Sequence, residues 1–285
     1  MSRQAAPLES EIPEELRIDA EGTIAILVDV IRDEVRRTGF RKVLLGLSGG
    51  IDSAVSAALA VRALGAKNVL SVLMPYRSSD PKSAADAKVV ARRLGTPVET
   101  IPITPMIDAY FRKTPQATRL RRGNKMARER MAILYDLSLR DRRMVIGTSN
   151  KTEILIGYGT LHGDLASGVN PLGDLYKTQV RQVAAALGLP DAIIWKTASA
   201  DLWAGQSDES DLGYRYRDID RVLLRLVERR DRPGDVVAAG FPERMVRGLH
   251  RRMTRSQFKR RPPIIAKLTR RAVNIDFRYP RDWGS

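Results

Sequence analysis

Short apolar runs alternate along this chain with longer stretches in which apolar residues recur every three or four positions. Ile18 to Thr38 carries Ile, Leu and Val at helical spacing, with Gly39 as a stop. Lys42 to Leu47 is a compact apolar run of the kind a buried parallel strand makes. Ala54 to Leu64 returns to helical spacing, and Asn68 to Met74 predicts a second strand that ends at Pro75. Pro81 to Leu94 predicts a helix with proline in its first turn and Gly95 as its cap. Val98 to Ile103 predicts a third strand, Thr104 to Arg112 a short helix, Asn124 to Leu139 a longer one, and Arg143 to Gly147 a fourth strand. This alternation predicts an α/β fold with a Rossmann-like, doubly wound parallel sheet covered on both faces.

After Thr148 the pattern changes. Thr160 to Leu175 is rich in Gly, Asp, Asn and Pro and reads as an ordered functional loop. Thr178 to Leu187 predicts a helix stopped by Gly188 and Pro190. Ser199 to Gly213 is polar and acidic, as a lid would be, and Arg215 to Glu228 and Pro242 to Met253 are amphipathic helices. No repeat is visible. The expected organisation is one domain over residues 18–285 with a helical C-terminal region, after a flexible polar tail over residues 1–17.

In such sheets ligands gather at the carboxyl ends of the strands, where Ser48, Met74 and Thr148 fall. Ser48-Gly49-Gly50-Ile51-Asp52-Ser53 joins the first strand to a helix. Glycines let backbone N–H groups approach phosphate oxygens, and the helix end adds unpaired donors and partial positive charge. The Gly-Lys-Ser/Thr ending of the Walker loop is missing, and Asp52 is suited to a divalent cation beside the phosphates. An ordinary strand-to-helix turn is the plainer alternative.

Composition narrows the classes. The chain has 285 residues, 43% of them hydrophobic, and no cysteine, which excludes disulfides, thiolate metal sites and a cysteine nucleophile within it. Two histidines without a neighbouring soft ligand give no zinc site. No run of 18 apolar residues predicts a membrane span. Met1 to Glu15 lacks the apolar core of a secretory signal, so a cytoplasmic location is the default. The net charge of +16 suits anionic partners, either nucleic acid or phosphorylated substrates, although arginine scattered over helix surfaces accounts for it equally well.

The S-G-G-x-D-S loop resembles the pyrophosphate loop of the N-type ATP pyrophosphatases, which adenylate a carbonyl or carboxyl oxygen and release pyrophosphate. Further segments narrow the resemblance to NAD synthetases. These are Gly123-Asn124-Lys125-Met126-Ala127-Arg128-Glu129-Arg130-Met131, Gly147-Thr148-Ser149-Asn150-Lys151-Thr152-Glu153, Gly157 to Asp164, Asn170 to Thr178, Ser199-Ala200-Asp201-Leu202-Trp203 and Gly205-Gln206-Ser207-Asp208-Glu209. The likeness runs from about Ile18 to Trp283. It implies an adenine nucleotide alpha hydrolase-like fold and a two-step reaction: the nicotinate carboxylate of deamido-NAD attacks the α-phosphate of ATP, and ammonia displaces AMP from the acyl adenylate. It also implies Mg²⁺ and a homodimer with substrate sites near the interface.

The resemblance assigns ATP to Gly46, Leu47, Ser48, Gly49, Gly50, Ile51, Asp52 and Ser53, with Thr148, Lys177 and Ser199. It assigns Mg²⁺ to Asp52 and Glu153, catalysis to Asp52, Glu153 and Lys177, and deamido-NAD to Arg128, Leu161, Asp164, Gly168, Phe258 and Lys259. Each has a plainer reading: Glu153 as a helix N-terminal acid, Lys177 as a solvated helix-start lysine, Arg128 as part of a basic helix face. Leu161, Gly168 and Phe258 replace the lysine, aspartate and histidine usual in the ammonia-dependent branch. The leucine and glycine are usual in the synthetase domain of the glutamine-dependent branch. The chain therefore resembles such a domain without its fused amidase, taking ammonia free or from a separate glutaminase. The departures leave another carboxylic acid open as substrate. Thiolating tRNA modification lacks its cysteines, and the basic run Arg251 to Arg261 is assigned to the dinucleotide rather than RNA. Trp203 is expected in packing or a lid, and Tyr158 in the core.

Overall fold

A computed structural model describes residues 12–203 and 205–273. Helix α1 (Ala20–Arg37) opens the domain, capped by Asp19, whose carboxylate accepts from Gly22 N–H. Strand β1 (Lys42–Gly46) leads through the glycine loop into α2 (Ile51–Leu64), followed by β2 (Val69–Leu73), α3 (Pro81–Leu94), β3 (Val98–Thr100), α4 (Thr104–Phe111), α5 (Arg119–Asp141) and β4 (Arg143–Val145). The four strands are parallel in the order β3-β2-β1-β4. The doubly wound sheet expected from the alternation is present. Its order reverses at β1, so the crevice between the carboxyl ends of β1 and β4 is the switch point.

One core lies between the sheet and helices α1 and α2, joined by Val180, Val183 and Ala184 of α7 (Lys177–Ala186). Helix α2 is buried nearly all round, and only its small residues allow this. On the other face, Leu44, Leu70 and Val72 pack against Ile107 and Phe111 of α4 and against Met126, Met131, Leu134 and Leu137 of α5. Between β4 and α7 comes the short helix α6 (Lys151–Ile156), and after α7 come α8 (Asp191–Ile194), α9 (Asp208–Leu212), α10 (Tyr216–Val227), α11 (Pro233–Ala238) and α12 (Glu243–Arg255).

The C-terminal helices bury a core of their own around Tyr216, Ile219, Val222, Leu223, Met245, Val246 and Leu249. Ile12 and Leu16 are buried in it, and Arg221 of α10 pairs with Glu15 at 2.7 Å. The flexible tail expected over residues 1–17 is corrected by these contacts: residues 12–17 are anchored, because two apolar side chains find an apolar site. Residues 1–11 of that tail, and the C-terminal match beyond Val273, lie outside the described residues. No helix among the described residues is long and apolar enough to cross a membrane.

Candidate active site

Helix α2 begins at Ile51, three residues before the apolar spacing predicts. Gly50 is its N-cap and provides no side-chain cap, so the first N–H groups stay available to an anion. The loop before it is pinned by its own hydroxyls. Ser53 Oγ donates to Gly50 O at 3.0 Å and accepts from Ser48 N at 3.2 Å, while Gly50 N donates to Ser48 Oγ at 3.3 Å. Gly49 has φ +78°, and a Cβ there would lie 2.2 Å from Ser83 O of α3. The loop therefore needs glycine at Gly49 for both its backbone angle and its close approach.

The loop opens into a cavity of about 790 Å³, within the range of sites that hold a small molecule. Its wall includes Gly46, Leu47, Ser48, Ile51, Asp52, Ser53, Thr148, Glu153, Lys177 and Ser199. Gly49 and Gly50 do not line it. Of the residues assigned to the dinucleotide, Asp164 and Lys259 line the cavity, and Arg128, Leu161, Gly168 and Phe258 do not. Arg128 is exposed and its Nε donates to Leu161 O at 3.2 Å. Phe258 is 60% exposed. Gly168 has a packing reason for its identity: a Cβ would approach Met144 Cγ to 2.8 Å beside β4.

At the floor, Lys177 Nζ bridges two carboxylates. It pairs closely with Asp52 and lies 3.3 Å from Glu153 Oε1. The lysine is 2% exposed, so the solvated helix-start reading does not hold. Glu153 closes a capping box at the start of α6: Asn150 Oδ1 accepts from Glu153 N at 3.0 Å, and Glu153 Oε2 accepts from Asn150 N at 3.3 Å. The helix-end reading of Glu153 is realised by Oε2, while Oε1 faces Lys177 across the cavity floor. Asn150 also donates through Nδ2 to Asp52 Oδ1 at 2.9 Å.

A third acid, Asp208 from α9, was not singled out from the sequence. It accepts from Tyr158 Oη at 3.0 Å, Tyr216 Oη at 3.1 Å and Ala200 N at 3.1 Å. Tyr158, expected in the core, packs against the C-terminal core and also lines the cavity with its hydroxyl between Asp208 and Asp211, because a half-buried phenol needs a polar partner. Trp203 lines the cavity too. Burial pushes Glu153 up to about 8, against the pull of Lys177 and with help from the like charges of Asp52 and Asp208. Burial likewise raises Asp208 and Asp164. For Lys177, burial is outweighed by Asp52, Glu153 and Asp208, which hold it charged and above its ordinary value. Three carboxyl groups share one ammonium, and a further cation among them would favour the ionised form of Glu153.

A few more contacts define the wall. Lys196 donates to Asp86 at 2.7 Å and to Gly49 O at 3.2 Å, stapling the loop to α3. Lys259 Nζ donates to Gly157 O at 2.8 Å and Gly159 O at 2.7 Å, and Asp164 Oδ1 accepts from Thr160 N at 2.8 Å. Ser199 is exposed to the cavity, and its Oγ accepts from Asp201 N.

Residues 23–263 match the model of the NAD synthase family. The chain is 51% identical over 269 residues to an NH3-dependent NAD⁺ synthetase of Trichlorobacter lovleyi, covering 94% of this chain and 98% of that one. The chain belongs to the NAD synthase family. Two solved structures carry the synthase likeness into three dimensions. The NH3-dependent NAD synthetase of Campylobacter jejuni superposes with a TM-score of 0.75 at 33% identity, over 88% of this chain and 100% of that one. The NMN synthetase of Francisella tularensis gives 0.77 at 30% identity, over 88% and 99%. The fold expected from the alternation is thus shared with these NAD synthase relatives.

Proposed function

We propose that this NAD synthase family member is a ligase that makes NAD from deamido-NAD, ATP and ammonia. The observation that carries the reading is the Lys177 ammonium held between Asp52 and Glu153 beside the pyrophosphate loop, in a chain 51% identical to a named NH3-dependent synthetase. Pyrophosphate is a good leaving group only when its charge is met, and the site supplies that charge from three sources. These are the uncapped N–H groups at the start of α2, the dipole of that helix, and Lys177.

Mg²⁺ fits the donor set. It prefers oxygen ligands and takes one or two carboxylates together with substrate phosphates rather than a complete protein cage. Among the described residues no cluster of three His, Asp or Glu forms such a cage, and the crowding of Asp52 and Asp208 that disfavours ionised Glu153 is what a dication would relieve. Asp52 and Glu153 are the proposed ligands, and the ion would neutralise the phosphate oxygens as the leaving group departs. Lys177 is proposed to meet a phosphate oxygen of bound ATP.

ATP is proposed to occupy Gly46 to Ser53, with Thr148 and Ser199 completing its wall. The carboxylate oxygen of the acid attacks the α-phosphorus, the α–β bridging P–O bond breaks, and pyrophosphate leaves. Ammonia then attacks the acyl carbon, the acyl–oxygen bond breaks, AMP departs, and one proton is released. The acid side is proposed to begin at Asp164 and Lys259, with Arg128, Leu161, Gly168 and Phe258 further along the dinucleotide and near a homodimer contact. Soluble ammonia suffices as donor, and no glutaminase subunit is required.

A second reading concerns the acid. The likeness to an NMN synthetase, with leucine and glycine at Leu161 and Gly168, fits nicotinate mononucleotide as substrate. One experiment separates them: purified protein, ATP, Mg²⁺ and ammonium are given deamido-NAD or nicotinate mononucleotide, and amide product and pyrophosphate are followed together. NAD and pyrophosphate in equal amounts are expected. Product only from the mononucleotide overturns the first reading, and none from either overturns the family activity for this chain.

A further inference from the structure

Helix α10 buries an apolar stripe of Tyr216, Ile219, Val222 and Leu223, and Asp220 stands in the middle of it with no exposed surface. A carboxylate in that position costs several kcal/mol of desolvation unless it is fully hydrogen-bonded, so what it binds is informative. Asp220 Oδ2 accepts from both the backbone N–H and the hydroxyl of Thr178, each at 2.9 Å. Its Oδ1 accepts from Thr152 Oγ1 at 2.6 Å. Thr152 Oγ1 in turn accepts from Lys177 N at 3.0 Å.

Thr152 precedes Glu153 and Thr178 follows Lys177. One buried carboxylate therefore grips the first turns of α6 and α7, the two helices that carry the acid and the cation of the site. We infer that Asp220 is a positioning residue that fixes the Lys177–Glu153 pair through Thr178 and Thr152, coupling the C-terminal helical core to the pyrophosphate loop. It touches neither substrate nor either reacting group. An acid at the start of α7 also offsets the helix dipole, which Lys177 alone opposes. Displacing a reacting group by about 1 Å is enough to cost roughly 100-fold in rate, and losing three hydrogen bonds at two helix starts permits such a shift. This inference rests on the working roles proposed for Lys177 and Glu153.

The test compares Asp220→Ala with Asp220→Asn in the amidation assay, on protein whose fold is checked by circular dichroism. Asparagine keeps an acceptor for Thr178 and can donate to Thr152 Oγ1, so it preserves the linkage without the charge. Asp220→Ala is expected to lose roughly 100-fold in kcat with KM for ATP within about threefold, and Asp220→Asn to stay within about tenfold of wild type. Loss of amide-exchange protection at Lys177 and Thr178 in the alanine variant, and its retention in the asparagine variant, reads the positioning independently of turnover. Thr152→Val serves if the alanine variant does not fold; its expected loss is roughly tenfold in kcat at unchanged KM. Unchanged kcat in a folded Asp220→Ala or in Thr152→Val overturns the inference. So does equal loss in alanine and asparagine variants, or protection that survives alanine. An inactive wild type with a protected Lys177–Thr178 segment instead overturns the activity and leaves the positioning standing.

Discussion

Replacing Lys177 by Met removes the ammonium while keeping most of the side-chain volume, which is buried over the Tyr216 ring with Nζ 5.1 Å from its centroid. The change leaves Asp52, Glu153 and Asp208 facing one another. Breaking a buried ion pair by removing one partner costs about 3–5 kcal/mol when the remaining charge has no escape. Here it has one: Glu153 sits near 8 and is already largely protonated at neutral pH, so loss of the ammonium leaves little bare charge on it. The stability loss is therefore expected at the low end, about 1–3 kcal/mol, or a fall of several degrees in Tm for a domain of this size. The pH of the assay matters. The folded-state value of Lys177 lies above 10.5, so its contribution is complete below that and is lost only as pH rises through the still higher folded value. Measurements at pH 7–8 thus read the whole effect. Catalysis is expected to suffer more, because the ammonium meets charge that develops as pyrophosphate leaves. A lost donor of that kind costs about 100- to 1,000-fold in kcat, or about 2.7–4 kcal/mol. The assay is pyrophosphate release on protein verified folded well below its Tm. Turnover within about fivefold of wild type would refute the assignment.

Other predictions are briefer. Gly49→Ala places a methyl group in a left-handed backbone region, at about 1–2 kcal/mol before its clash with Ser83 O. A lower Tm and a raised KM for ATP are expected, and a normal KM would show that the loop does not hold the phosphates. Chelating divalent ions is expected to abolish pyrophosphate release, with restoration by Mg²⁺; in Asp52→Asn that restoration should need much more Mg²⁺, and an unshifted titration removes Asp52 from the metal. Burial raises Asp220 from 3.8 to about 6, so the folded state holds its proton where the unfolded state has lost it. Wild-type stability relative to Asp220→Asn should therefore fall as pH rises from 4 to 6, by at most about 1.4 kcal/mol per pH unit. Parallel denaturation midpoints across that window would contradict this.

The sheet was legible because its strands are short apolar runs and its helices carry their own punctuation, such as Pro81 and Gly95. The boundaries slipped where a motif doubles as structure. Ile51 to Ser53 read as loop chemistry and are also the first turn of α2, because Gly50 caps it by backbone alone. Helix α6 has six residues, too few to show a period, and its capping box is hidden in residues that also read as a site. Asp208 and Asp220 were missed for different reasons. Asp208 sits in an acidic stretch whose exposed neighbours look the same in sequence. Asp220 had a signal: it interrupts the apolar stripe of an otherwise regular amphipathic helix, where a charge has no solvent to face.

The arrangement of Lys177 shows why this site depends on the whole fold. A lysine at a helix N-terminus opposes the dipole, and a lysine with 2% exposure opposes solvation. Local preference and burial both reject it there. It is held by carboxylates from two other elements, Asp52 at the start of α2 and Glu153 at the start of α6, each of which is in turn fixed by Asn150. First-turn residues of all three helices, Asp52, Glu153 and Lys177, line the same cavity. The C-terminal core contributes Asp208 and Asp220 to the same arrangement. The glycine loop and α2 supply only Asp52; Glu153 and Asp208 come from later helices, and the three together hold the buried lysine charged.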